Sequence, residues 1–325
     1  MTLMMLVSAS AFAASKKSIV CTTYPEYDWV LNVLGSRASA FNVALLQNKG
    51  TDLHSYQPSV QDIAKISVSD LFVYVGGESD EWVEDVLQNA RNKNMIVINM
   101  MEVLGDAVRE EEIVEGMQES EEHEHEHGHD HHDHHEGEAH DHEHEEAEYD
   151  EHVWLSLRNA AVITQALSEA VQKLDSKNAA AYKANTEAYI AKLAALDAEF
   201  QTAVAKAETK TLVFADRFPF RYLADDYGLK YYAAFAGCSA ESEASFETVI
   251  FLAKKIDELA LKSVLTIEKS DKKIAKTVVS NTKTKNQQIL EMDSLQSVTQ
   301  KDIKGGKNYL DAMKQNLAVL KAALN

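Results

Sequence analysis

Residues 18–46 read SIVCTTYPEYDWVLNVLGSRASAFNVALL. Two short apolar runs, 18–23 and 42–46, flank a segment that opens with Pro25 and ends near Leu34. Proline suits the first turn of a helix, where its missing N–H would be unpaired anyway. The spacing therefore predicts strand, helix, strand. The pattern continues with strands at LFVYV (71–75) and MIVIN (95–99) and helices at 58–66 and 81–88. Such alternation predicts a parallel sheet flanked by helices.

The second half repeats the style. Strands are expected at TLVFA (211–215), YYAAF (231–235), SVLTI (263–267) and QQILEM (287–292), with helices near 218–226, 245–259, 271–281 and 306–322. Between the halves, residues 157–208 are alanine-rich and lack proline and glycine, with Leu167, Ala170, Val171 and Leu174 at helical spacing. A single helix over 177–206 would run about 45 Å. The expected class is α/β: two similar lobes with central parallel sheets, joined by a long rigid helix. The expected organisation is a signal-like segment at 1–14, an N-terminal lobe at 15–158, connecting helices at 159–208 and a C-terminal lobe at 209–325. The first lobe includes an acidic histidine-rich loop at about 106–150. A stiff connector of this kind allows only small relative movement of the lobes.

The start, MTLMMLVSASAFAASKK, has a short apolar region and small residues before Ala14, a secretory pattern without the usual positive start. It predicts an extracytoplasmic protein, periplasmic or at the cell surface. Cys21 and Cys238 are the two cysteines. They fall in different lobes and are expected to be free thiols. Cys21 lies in a strand-like run without the small residue that precedes a lipidated cysteine.

Charge is distributed unevenly. The net charge is -20, yet residues 110–151 hold twenty of the 52 acidic residues, eleven of the 13 histidines and no lysine or arginine. The remainder balances 32 acids against 32 bases, which excludes the basic face of a nucleic-acid binder. Histidine alternating with acid is the composition of a metal-collecting tract, since neutral imidazole binds zinc, copper and nickel. With few apolar residues to offset ordering entropy, the tract is expected to be mobile. Its formal match to H-E-x-x-H, at His123–His127, arises from alternation in low-complexity sequence. It lacks the amphipathic helix a metalloprotease needs.

Only His54 and His152 lie outside the tract, in GTDLHSYQPSVQDIAKI and YDEHVWLSL. A lone loop histidine is usually structural. Two at element ends, where open α/β sheets bind ligands, beside a metal-collecting tract, point to metal ligands. Trp29, Trp82 and Trp154 are expected as core or cleft-wall aromatics, and Gly76-Gly77 as a turn.

DLHSYQPSVQDIAKISVSDLFVYVGGESDEWVEDVL (52–87), DEHVWLSLRNA (150–160), FRYLADDYGLKYY (220–232), VLTIEKSDKKIAKTV (264–278) and ILEMDSLQ (289–296) resemble the zinc and manganese solute-binding proteins of metal ABC importers, the cluster A-I family. The acidic histidine-rich insert is similar to that of its zinc-directed members. The resemblance spans nearly all of residues 18–323. It implies His54 and His152 as the first two metal ligands and Asp293 as a carboxylate ligand from the second lobe. The third family ligand, a histidine or glutamate, falls on Arg217, which has donors only and stays protonated. Asp216 is the expected substitute, with Glu241, Glu243 and Cys238 as further candidates and Glu268 as a residue that orients a ligand. Two imidazoles and two carboxylates would balance a divalent cation.

The function implied is capture of a divalent transition metal between the lobes and delivery to a membrane permease, by a monomer without enzymatic chemistry. Histidine favours Zn2+; Mn2+, which prefers oxygen, is the other cation considered. Two different functions fit parts of the sequence: metal buffering through the histidine-rich tract, and an adhesin built on the same scaffold.

Overall fold

A computed structural model describes residues 16–118, 148–239 and 243–325. The expected signal segment, the centre of the histidine-rich tract and Glu241 lie outside these residues. In chain order the elements are β1 (Lys17–Cys21), α1 (Tyr24–Leu34), β2 (Phe41–Leu45), α2 (Val60–Ser67), β3 (Leu71–Tyr74), α3 (Trp82–Gln88), β4 (Ile96–Asn99) and α4 (Met100–Leu104). Two long helices follow, α5 (Leu157–Leu174) and α6 (Ala179–Lys206). The second lobe comprises β5 (Thr211–Phe218), α7 (Arg221–Tyr227), β6 (Lys230–Ala236), α8 (Phe246–Glu258), β7 (Ser263–Ile267), α9 (Lys273–Asn281), β8 (Gln288–Met292), α10 (Gln300–Lys304) and α11 (Tyr309–Ala323).

Each lobe is a four-stranded parallel sheet, with orders β2-β1-β3-β4 and β6-β5-β7-β8. The two orders are the same permutation, so β2 and β6 occupy equivalent edges. The strands carry apolar runs because helices cover both faces. In the first lobe, α1 begins where the buried Glu26 carboxylate accepts hydrogen bonds from the Thr22 hydroxyl (2.9 Å) and the Thr23 N–H (2.9 Å) and hydroxyl (3.1 Å). Burial pushes the pKa of Glu26 up to about 8.

The connecting region holds the long helix expected over 177–206, as α6, and α5 packs against it in a helical hairpin. After α5 the chain turns at Asp175, whose Oδ2 accepts from Asn178 Nδ2 and the Tyr182 hydroxyl, both at 2.6 Å. Helix α6 then runs 28 residues, about 42 Å. Its buried side chains, Tyr182, Thr186, Tyr189, Leu193, Leu196, Phe200 and Val204, recur every three or four residues and form one stripe against the core. Helices α4 and α10 were not anticipated, because five residues are too few to show a period. Strand β5 runs three residues past the expected TLVFA, through a register shift between Phe214 and Arg217. The shift re-aims Asp216 and Arg217.

The lobes share one core. A continuous apolar cluster runs from Trp29 and Leu34 through Trp154, Leu193 and Phe200 to Phe214 and Met313. Trp154, as expected, is a core residue: its indole N–H donates to Ser294 O at 2.8 Å, and its carbonyl accepts from the Tyr309 hydroxyl at 2.5 Å. The Tyr309 ring meets Trp29 edge-on, with centroids 5.1 Å apart. Trp29 is buried, whereas Trp82 is half-buried against Tyr56. Among the described residues no helix is long and apolar enough to cross a membrane.

These contacts stiffen the seam between the lobes. Tyr309→Phe keeps the ring and leaves the buried Trp154 carbonyl unpaired, so unfolding free energy is expected to fall by about 1–3 kcal/mol. Denaturant unfolding reads this. No loss would mean that the Trp154–Tyr309 bond contributes nothing to the seam.

Candidate metal centre

His54 and His152 are placed by the same local device. Each follows an aspartate by two residues, and in each case that aspartate accepts the histidine's backbone N–H: Asp52 Oδ1 from His54 at 3.1 Å, Asp150 Oδ1 from His152 at 2.8 Å. His54 sits in a single 3-10 turn after β2, and His152 just before another turn that leads to α5. Although 98 residues apart, their Nε2 atoms lie 3.2 Å from one another.

The other nitrogen of each ring faces a carboxylate. His152 Nδ1 is 2.9 Å from Asp150 Oδ1. His54 Nδ1 is 2.9 Å from Ser79 Oγ and 3.3 Å from Glu151 Oε2. A carboxylate beside Nδ1 favours the tautomer with the proton there and directs the Nε2 lone pair outward, the arrangement typical of metal-binding histidines. Two nitrogens each 2.0–2.1 Å from a tetrahedral zinc are about 3.3 Å apart. The observed pair fits that spacing.

The carboxylates are themselves anchored. Glu151 Oε1 accepts the Ser79 N–H at 2.8 Å. Gly77, with φ +78°, permits this approach, because a Cβ there would lie 2.4 Å from Glu151 Oε1. Asp80 Oδ2 accepts the Val75 and Gly76 N–H groups at 3.0 and 3.1 Å and fixes the same turn. Burial pushes its pKa up to about 7. Burial also opposes charge on Glu151, but His54 and Ser79 hold its pKa below the ordinary value. For His152, burial disfavours the cation, whereas Asp150, then Asp52 and Glu151, outweigh it and raise the pKa.

On the second-lobe side, Arg217 donates to Asp52 Oδ2 at 2.7 Å and to Ser239 O at 3.3 Å. Burial acts against the Asp52 carboxylate, but Arg217 and His54 bring its pKa below normal. The Gln296 amide fits with its nitrogen toward Asp52 (2.7 and 2.8 Å) and its oxygen toward His152 Nε2 (2.5 Å). Gly237 lets the loop after β6 press on the His152 ring, since a Cβ would lie 3.1 Å from its Cε1.

Among the described residues, one group of three ligand-bearing side chains has its ligand atoms all within 4.8 Å: His54, His152 and Cys238. The cysteines are free, and burial, with Asp150 and Glu111 nearby, pushes the Cys238 thiol well above its usual pKa. Asp216 and Asp293 are not in this group. Asp216 Oδ1 accepts its neighbour's N–H from Arg217 at 3.0 Å, while its enclosed Oδ2 has no hydrogen-bond partner. Asp293 follows β8 directly, forms an ion pair with Lys307 and accepts the Leu295 N–H at 2.9 Å. Glu268 accepts from Ser294 N (2.7 Å), Ser294 Oγ (2.8 Å) and Ser297 Oγ (3.0 Å), which fastens the loop carrying Asp293 and Gln296. Glu243 is exposed.

Sequence reasoning missed Asp52, Asp150, Glu151 and Gln296. The repeated Asp-x-His in DLH and DEH was the available signal for the two aspartates. Gln296 had none, because its role depends on how the lobes meet. Asp150→Asn keeps an acceptor for the His152 N–H but removes the charge behind Nδ1. It is expected to weaken metal binding about 10–100-fold, measurable by competition with a chromophoric chelator. Unchanged affinity would remove Asp150 from the site.

A family model described as "Zinc-uptake complex component A periplasmic", ZnuA, matches residues 19–323. The high-affinity zinc uptake system protein ZnuA of Bacillus subtilis (strain 168) is 30% identical over 309 residues, covering 95% of this chain and 88% of that protein. Zinc-binding protein AdcA of Streptococcus pyogenes serotype M6 is 29% identical over 321 residues, 95% of this chain but 56% of that protein. The chain thus spans little more than half the length of AdcA. The Zn(II)-bound ZnuA-like domain of Streptococcus pneumoniae AdcA superposes with a TM-score of 0.70 at 27% identity, over 95% of this chain and 99% of that one. With the match extending over nearly the whole chain and both lobes, this protein belongs to the ZnuA family of zinc-uptake components.

Proposed function

We propose that this chain is the extracytoplasmic binding component of a zinc ABC importer, capturing Zn2+ between its lobes and delivering it to a membrane permease. One observation carries the reading: two Nε2 atoms 3.2 Å apart, each ring backed by a carboxylate. A pair of imidazoles selects zinc over manganese, which prefers oxygen. The proposed action is binding and release by a monomer, without bond-making chemistry.

His54 and His152 are the proposed ligands from the first lobe and its edge. Asp293 is the second-lobe carboxylate proposed to join them when the lobes close, exchanging Lys307 for the metal; Asp216, with its partnerless oxygen, is the competing candidate. The shared core limits such closure to a small movement. The permease would then discriminate the liganded form through contacts that differ between the two states. The histidine-rich tract is proposed to raise the local zinc concentration, with uptake that falls below about pH 6.5 as imidazoles protonate.

Calorimetric zinc titration of three proteins tests this: the whole chain, a variant lacking 119–146, and that variant with His54→Ala. One tight site should survive deletion of the tract. It should weaken with His54→Ala by more than the roughly 10–100-fold that loss of a supporting partner costs. Asp216→Asn and Asp293→Asn, titrated the same way, decide between the carboxylates. If deletion of the tract removes all tight binding, the cleft is not the zinc site and buffering by the tract becomes the function.

A further inference from the structure

The two strands at equivalent edges of the two sheets each lead into the metal centre. His54 follows β2, and Cys238 follows β6 by two residues. The Cys238 Sγ lies within 4.8 Å of ligand nitrogens on both His54 and His152. Its loop is held in place from three sides. The Cys238 N–H donates to Glu111 Oε1 at 2.9 Å, Arg217 donates to Ser239 O at 3.3 Å, and Gly237 allows contact with the His152 ring.

Arg217 explains why a new donor is needed. It stands where the resemblance implies a third ligand, yet it can only donate hydrogen bonds. Instead it spans the cleft, with one guanidinium nitrogen on Asp52 of the first lobe and another on the carbonyl beside Cys238. The lost ligand has been exchanged for a clamp that sets the cysteine loop against the histidine pair.

We propose that Cys238 is the third zinc ligand of this site, giving a His-His-Cys donor set in which Arg217 is a positioning residue. This rests on the reading of His54 and His152 as the zinc-binding pair. Coordination forms an Sγ–Zn bond, and the thiol proton leaves to solvent. Zinc–sulfur bonds of about 2.3 Å and zinc–nitrogen bonds of 2.0–2.1 Å at tetrahedral angles put Sγ and Nε2 about 3.6 Å apart. A loop shift on the order of 1 Å suffices from the present separation. A thiolate and one carboxylate with two neutral imidazoles balance the charge of Zn2+. The thiolate also shifts the site further toward zinc and away from manganese.

Cobalt substitution reads the sulfur directly. The whole chain, stripped of metal and titrated with Co2+, should develop the near-ultraviolet charge-transfer absorption of a cobalt–thiolate bond. The histidine-rich tract has no cysteine and contributes no thiolate band. Cys238→Ser and Cys238→Ala should both lose the band and bind zinc at least about tenfold more weakly, about 1.4 kcal/mol, with unchanged circular dichroism. A band that persists in both variants, or saturable cobalt binding without a band that His54→Ala still abolishes, overturns the cysteine ligand and leaves the histidine site standing. Binding that is indifferent to His54→Ala overturns both.

Discussion

The carboxylates behind the two histidines are the constraint on which the site depends. Asp150 and Glu151 are adjacent in sequence, and each orients one ring: Asp150 its own neighbour His152, Glu151 the distant His54. An imidazole can rotate, and either nitrogen can carry the proton. With a carboxylate at Nδ1, both freedoms are removed, and once His152 Nε2 gives up the proton that the Gln296 oxygen accepts, two lone pairs meet at one point. Placing two such lone pairs 3.2 Å apart is unfavourable without a cation or a proton between them. The fold holds them there because Asp80, the Gly76-Gly77 turn and the Asp-x-His turns fix the backbone on both sides.

The second lobe closes over this pair with a different chemistry. Arg217 and Gln296 neutralise or satisfy Asp52, so that carboxylate is committed to holding the lobes in register. Lys307 does the same for Asp293, and Glu268 fastens the loop between them. The lobes are further tied below the site by Trp154, Ser294 and Tyr309. Binding energy is therefore directed into local rearrangement of side chains and the Cys238 loop. Little of it can drive a wide hinge.

Much of the architecture was legible in the sequence because period and punctuation agree. Apolar runs, Pro25 and the glycine-free alanine-rich stretch located eight strands and the principal helices. The long helix near 177–206 was legible too, although the turn before it, Asp175–Asn178, contains no proline or glycine; side-chain bonds to Asp175 make that turn. His54 and His152 were legible because they are the only histidines outside the tract. Asp216 was chosen by adjacency to Arg217, and it is not among the side chains whose ligand atoms gather within 4.8 Å of one another. Asp293 was placed by family likeness, and its tie to Lys307, fourteen residues on, could not be read from spacing. Cys238 stayed one candidate among several, since only the meeting of β6's loop with His152 brings it forward.

The position of the metal ion is what the histidine pair should fix. Crystals of the zinc-loaded chain, with anomalous scattering recorded on either side of the zinc edge, locate the ion without prior assumption. One strong peak is expected between His54 Nε2 and His152 Nε2, about 2.0–2.1 Å from each. A strong peak elsewhere, with the two rings still facing one another and no anomalous density between them, would contradict it.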